Sequence, residues 1–200
     1  MHPDLVRAVT DLGDLGVVLP TAAVLIIVLW RAESGRTAAM FGLVLGVCLA
    51  TMLALKLAFA VCGEHWQLGV RSPSGHAGMS SLVYGSFAAV CATHAGPRRG
   101  SLAVAAMAAL ILAIAVTRVV GGYHTALEVA IGLAVGTSAL AAFAVWYGRQ
   151  PHPPLNLRGL AALVAVGLVV AYGSHVPGER MVSSLAGALR LPWAICGAAP

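Results

Sequence analysis

"TRVVGGYHTALE", residues 117–128, parts two of the most apolar runs in the chain, 101–120 and 125–147. A bilayer core about 30 Å thick needs roughly 20 apolar residues per helix, so each run reads as a membrane-crossing helix. The twelve polar and glycine-rich residues then form a turn at one membrane surface. Working outward, four further segments have the length and composition of spans: 12–30, 38–61, 77–94 and 157–175. Their separators, among them "RAESGR", "GPRRG" and "GRQPHPP", are short and carry charges or backbone breakers. The expectation is an all-α fold: a polytopic membrane helical bundle of about six transmembrane helices, in one domain over 1–200. The tail 178–200 has Arg190 at its middle and Pro192 after it, and reads as an interfacial helix rather than a seventh span.

Composition agrees. Soluble domains carry about 25% charged residues, whereas this chain has 10%, with 60% hydrophobic residues and a mean hydropathy of +0.90. The net charge of +5 comes from scattered basic residues with no basic run, which argues against a nucleic-acid partner. The first sixteen residues hold three aspartates and one arginine, the wrong sign for a secretory leader, so the first apolar run reads as a retained span. Cys48 and Cys91 fall inside apolar runs, while Cys62 and Cys196 lie near span ends, where a bridge between them is conceivable. No cysteine spacing reads as a zinc site, and no cofactor or metal is expected.

Alternate loops hold Arg31 and Arg36, Arg98 and Arg99, and Arg149 and Arg158. By the positive-inside rule those loops face the cytoplasm, and both termini face away from it. The expected location is a bacterial-type inner, or cytoplasmic, membrane.

Ionisable residues at membrane depth are costly and mark function by default. Lys56, the chain's single lysine, closes the second span; Arg71, Ser74 and His76 precede the third; Arg118 closes the fourth; His124 and Glu128 open the fifth. Since spans three and four make one excursion across the bilayer and back, all of these gather at one surface, the non-cytoplasmic one. His124 and Glu128, four apart, share a helix face, so the carboxylate fixes one imidazole nitrogen and leaves the other as base or nucleophile. Ser74 and Gly75, ahead of a helix amino terminus, offer a hydroxyl and exposed N–H groups to an anion. Arginine forks suit phosphate oxygens. Each feature alone has a plainer explanation, as a snorkelling cation, a helix cap or a structural ion pair; together they point to phosphoryl transfer through a phosphohistidine.

These residues resemble the type 2 phosphatidic acid phosphatase (PAP2) superfamily, which also includes vanadium haloperoxidases. Its Pro-Ser-Gly-His element is present as Pro73, Ser74, Gly75 and His76. Its Ser-Arg, five residues, His, three residues, Asp element is matched by "TRVVGGYHTALE", with Thr117 for the serine and Glu128 for the aspartate. The resemblance spans about 56–128. It implies that His124 attacks phosphorus, Glu128 orients it, and His76 protonates the leaving oxygen and then activates water. It further implies that Lys56, Arg118, Ser74 and Gly75 hold the phosphate, without a metal. The lysine-first element departs: seven residues after Lys56 stand Gly63 and Glu64, not arginine and proline. Arg71 is the nearest candidate to supply that charge.

The implied substrate and partner is a lipid phosphate among membrane lipids, of polyprenyl diphosphate, phosphatidic acid or phosphatidylglycerol phosphate type. Lipid-to-lipid phosphoryl transfer by the same site and a non-catalytic lipid-binding protein are the competing readings; the oligomeric state is not legible.

Overall fold

In the computed structural model, which describes residues 3–66 and 69–189, the described residues form eight helices. These are α1 (Pro3–Asp11), α2 (Leu15–Ala32), α3 (Gly35–Trp66), α4 (Gly75–His94), α5 (Pro97–Val120), α6 (Ala126–Tyr147), α7 (Leu157–Ala171) and α8 (Gly178–Leu189). The fold is all-helical, as the sequence implies. Four segments are long and apolar enough to cross a bilayer: Asp4–Ala32, Gly35–Cys62, Pro97–Val120 and Ala126–Tyr147.

The two expected spans missing from that set differ for separate reasons. Helix α4 is the centre of the bundle, packed on α5, α6 and α2, and thirteen of its twenty residues are buried. A helix surrounded by protein meets little lipid and has no need of an oily surface, and α4 is accordingly rich in glycine, alanine and serine. Helix α7 has 15 residues, about 22 Å at 1.5 Å per residue, and stops at Ala171 before Gly173, whose φ is 81°. By contrast, only 17% of the most apolar stretch of α5 is buried. Leu102, Leu112 and Val116 on that helix face outward, as a lipid-facing surface requires.

Small residues set the distance between α4 and α6. A Cβ on Gly136 would lie 2.0 Å from the Gly78 carbonyl oxygen, and one on Gly132 would lie 2.3 Å from that of Ser74. This Gly-x-x-x-Gly spacing lets two backbones touch, as it does between membrane helices generally. The loop before α4 is thereby pressed against the start of α6, where the Ser74 N–H donates to the Glu128 carbonyl at 3.0 Å.

The amino-terminal segment is not one straight helix. It breaks at Gly13, and Asp14 caps α2 by accepting from the Gly16 N–H at 2.8 Å. Helix α1 lies against α5, and α8 lies along α3. Cys48 and Cys91 are free and Cys62 is disulfide-bonded; Cys196, considered above as its partner, lies outside the described residues, as does the tail beyond Leu189.

Candidate active site

The turn between α5 and α6 brings Arg118 and His124 together. Gly122 takes φ 69°, a left-handed conformation that favours glycine. The chain then folds back so that the N–H groups of Tyr123 and His124 both donate to the Arg118 carbonyl, at 3.1 and 3.0 Å. The six-residue spacing is thus the length of one closed turn. Thr125 caps α6 in a capping box, its hydroxyl accepting from the Glu128 N–H at 3.3 Å while Glu128 Oε2 accepts from the Thr125 N–H at 3.0 Å.

Glu128 does three jobs with two oxygens. Oε2 also accepts from His124 Nδ1 at 3.0 Å; Oε1 accepts from the backbone N–H groups of Arg71 and Ser72 at 2.6 and 3.1 Å. The carboxylate therefore staples the loop before α4 to the start of α6 and fixes the His124 tautomer with hydrogen on Nδ1. His124 Nε2 has no hydrogen-bond partner among the described residues. Its lone pair is available. The His124 pKa is lowered, chiefly by burial and also by the Arg118 charge, against the upward pull of Glu128. The imidazole is accordingly neutral at pH 7.

His76 stands in the first turn of α4, with Nε2 3.7 Å from Asp14 Oδ2. Burial first, then the Arg118 charge, with smaller contributions from the neighbouring His124 ring and Lys56, lowers its pKa to about 4, with Asp14 pulling the other way. That response to Arg118, Lys56 and His124 marks the convergence that the chain topology requires. Lys56 is buried, with Nζ donating to Ser72 Oγ at 2.8 Å. Arg118 donates from Nη1 to Thr10 Oγ1 at 3.2 Å and lies over the Tyr123 ring, 4.4 Å from its centre.

Two cavities meet this cluster. The larger, about 1020 Å³, is lined by His124, Glu128, Arg71 and Tyr123; the smaller, about 460 Å³, is lined by His76, Arg118, Lys56, Asp14 and Gly75. The Arg118–Tyr123 stack has one member in each. The walls of the smaller cavity away from these charges are apolar, with Leu15 and Leu19 of α2, Leu49, Met52 and Leu53 of α3, and Met181 and Val182 of α8.

The residues singled out in the sequence do not all sit as expected. Lys56, Arg118, His76, His124, Glu128 and Gly75 converge. Ser74 is fully buried and its oxygen caps α4, accepting from the Ala77 N–H at 3.5 Å. Arg71 is exposed, and its recorded bond to the site comes from its backbone. The side chain of Glu64 lies outside what the structure describes, as do the surroundings of Gly63. Asp14, Thr10, Ser72 and Tyr123 are additions. Asp14 had a signal: the start of the first span lies on the same surface as the other charges, by the same alternation of spans.

A helical membrane bundle that sets a carboxylate-held histidine and a second histidine beside a buried lysine and a half-buried arginine suits an anionic, phosphate-bearing ligand. Comparison with known sequences agrees: residues 58–152 match the PAP2 superfamily, and the chain belongs to it. It is also 30% identical, over 92% of its own length and 90% of the other's, to an "uncharacterized 22.5 kDa protein in cps region" of Klebsiella pneumoniae. No solved structure matches it significantly. Superfamily membership carries phosphatase-type activity as the general reading.

Proposed function

We propose that the protein is a membrane lipid phosphatase that cleaves a lipid phosphate or diphosphate through a phosphohistidine. The observation that carries this reading is the bonding of His124, with Nδ1 committed to Glu128 and Nε2 left open beside Arg118, Lys56 and His76. Nε2 attacks phosphorus, forming the N–P bond as the P–O bond to the lipid breaks. The departing oxygen takes a proton from His76, and Glu128 stabilises the imidazolium charge. Water then attacks phosphorus, giving its proton to His76, and phosphate leaves with the regenerated His124. Arg118, Lys56 and the Gly75 N–H stabilise the equatorial oxygens in both steps.

His76 is neutral in the resting site, so the proton it donates must arrive with substrate. A phosphate dianion seated between Arg118 and Lys56 offsets the positive charges that add to burial in holding the His76 pKa down, and the proton follows the anion.

A lipid substrate is favoured by the smaller cavity, whose charged end is the phosphate cluster and whose far walls are leucine, methionine and valine. An outer-leaflet position is favoured by the arginines clustered at the opposite helix ends and by the bonded Cys62 at the site end of α3, since disulfides persist in oxidising compartments.

The test is phosphate release by purified protein from phosphatidic acid, phosphatidylglycerol phosphate and polyprenyl diphosphate, with His124→Ala as the blank. Release by wild type and none by the variant is expected. Equal release by both overturns the mechanism, and labelled phosphate recovered only on a second lipid identifies a transferase instead.

A further inference from the structure

The opposite end of the bundle holds a second cluster of histidines and carboxylate that the phosphatase reading does not use. Glu33 follows the last turn of α2, His94 ends α4, Tyr147 ends α6, and His152 lies on the connection to α7. The active site draws instead on the starts of α2, α4 and α6, so the two clusters are separated by the length of the bundle. The side chains of Glu33, His94 and His152 are 2%, 7% and 10% exposed.

The hydrogen bonds pose a problem of charge. His152 Nε2 lies 2.9 Å from the Tyr147 carbonyl oxygen, which only accepts, so Nε2 carries hydrogen. Nδ1 then faces Glu33 Oε2 at 3.3 Å. In a neutral ring that is a lone pair aimed at a carboxylate, an arrangement that either a proton on Nδ1 or a metal ion held by both groups resolves. His94 Nε2 meets Glu33 Oε1 at 3.1 Å and the Tyr147 hydroxyl at 3.0 Å, and that hydroxyl also bonds Glu33 Oε1. The ligating atoms of Glu33, His94 and His152 all lie within 4.8 Å of one another. An ion with bonds of about 2.0–2.2 Å in a tetrahedral shell holds its donors roughly 3.3–3.6 Å apart, so the His152–Glu33 separation already fits, the His94 and Tyr147 atoms draw back slightly from Glu33 Oε1, and the wider separations close.

We propose that Glu33, His94, His152 and Tyr147 form a structural site for a divalent transition-metal ion of zinc type. Two imidazoles and a carboxylate suit such an ion, and the Tyr147 oxygen supplies a fourth position, closing the shell as structural sites do. The His152 N–H held by a backbone carbonyl is the outer bond that ligating imidazoles make, fixing the ring with its other nitrogen toward the metal. Entry of the ion displaces the Tyr147 proton to solvent. The site ties together the ends of α2, α4 and α6 and the start of the connection to α7.

The experiment uses the full chain in detergent, stripped with a chelator and titrated with Zn²⁺ alone, then with Co²⁺. One equivalent of tightly bound ion, a higher unfolding temperature, and for Co²⁺ the intense visible bands of a four-coordinate site are expected. His94→Ala and His152→Ala should each weaken binding by about 100-fold or more, and Tyr147→Phe by less, while His124→Ala leaves it unchanged. Because the first two variants remove buried contacts, the wild-type Co²⁺ spectrum and stoichiometry stand as a readout that requires no variant. A stoichiometry far below one, an octahedral Co²⁺ spectrum, or binding that survives Glu33→Gln and His94→Ala overturns the proposal and leaves a protonated His152–Glu33 pair.

Discussion

Each end of the bundle sets a buried carboxylate against histidine, and the two arrangements are nearly opposite in what they leave open. At the α6 start, Glu128 takes one nitrogen of His124 and two backbone N–H groups, and the other imidazole nitrogen is left beside a cavity. At the far end both nitrogens of His152 face oxygen, and His94 and Tyr147 crowd the same carboxylate. The same residue types are thus poised in one place and fully engaged in the other. What makes a histidine reactive here is the uncommitted nitrogen and the space in front of it, together with cations that stabilise an incoming anion.

That contrast is broken most severely at His124. His124→Ala should abolish phosphate release while unfolding as wild type does, whereas His94→Ala should lower the unfolding temperature and leave release measurable. If the two effects were exchanged, the assignment of chemistry to one end and structure to the other would fail. Glu128→Gln comes next. It preserves shape but loses the charge that holds the His124 tautomer, and the loss of an orienting carboxylate costs about 10⁴-fold in a comparable catalytic triad. A fall in kcat of about 10²-fold or more is expected, and a fall below threefold would remove Glu128 from the mechanism.

A smaller effect distinguishes the second histidine. Asp14 Oδ1 is fixed by the N–H groups of Gly16 and Val176, at 2.8 and 3.0 Å, which leaves Oδ2 facing both His76 and His175 at 3.7 Å. In the proposed mechanism Asp14 would act through His76 as a positioning residue, raising its proton affinity against burial and the Arg118 and Lys56 charges. Asp14→Asn removes that upward pull. The basic limb of kcat, which reports His76 in the substrate complex, should move to lower pH, and kcat at neutral pH should drop about tenfold or more. An unmoved limb with an equal loss of thermal stability would reduce Asp14 to the cap of α2.

The sequence made most of the site visible because membrane helices alternate. Once the spans are counted, Lys56, His76, Arg118, His124 and Glu128 must share a surface, and the close passage of Gly78 against Gly132 and Gly136 brings the last step of that reasoning into contact. What stayed hidden depends on local backbone routes that no periodicity records. The break at Gly13 turns Asp14 inward; the closed turn at Gly122 sets Tyr123 under the Arg118 guanidinium; the cap of α4 consumes the Ser74 oxygen. The far cluster is masked in the sequence for a simpler reason. Glu33, His94 and His152 are 61 and 58 residues apart in sequence and sit in loops rich in arginine, where a charge reads as solvated.

Arg71 is where sequence and structure part furthest. The missing arginine of the lysine-first element made its guanidinium the obvious substitute, yet its bond into the site is made by the backbone N–H to Glu128, with the residue exposed at the rim of the larger cavity. A backbone donor survives any substitution except proline. Arg71→Ala should therefore raise KM by about two- to threefold, more at low ionic strength and less at high, with kcat unchanged, as expected for a screened surface charge that attracts an anionic head group. Arg71→Pro, which deletes the N–H, should cost far more than the alanine change. A fall in kcat of tenfold or more for Arg71→Ala would mean that the guanidinium swings inward when phosphate binds, and that the charge missing beside Gly63 is supplied from this loop after all.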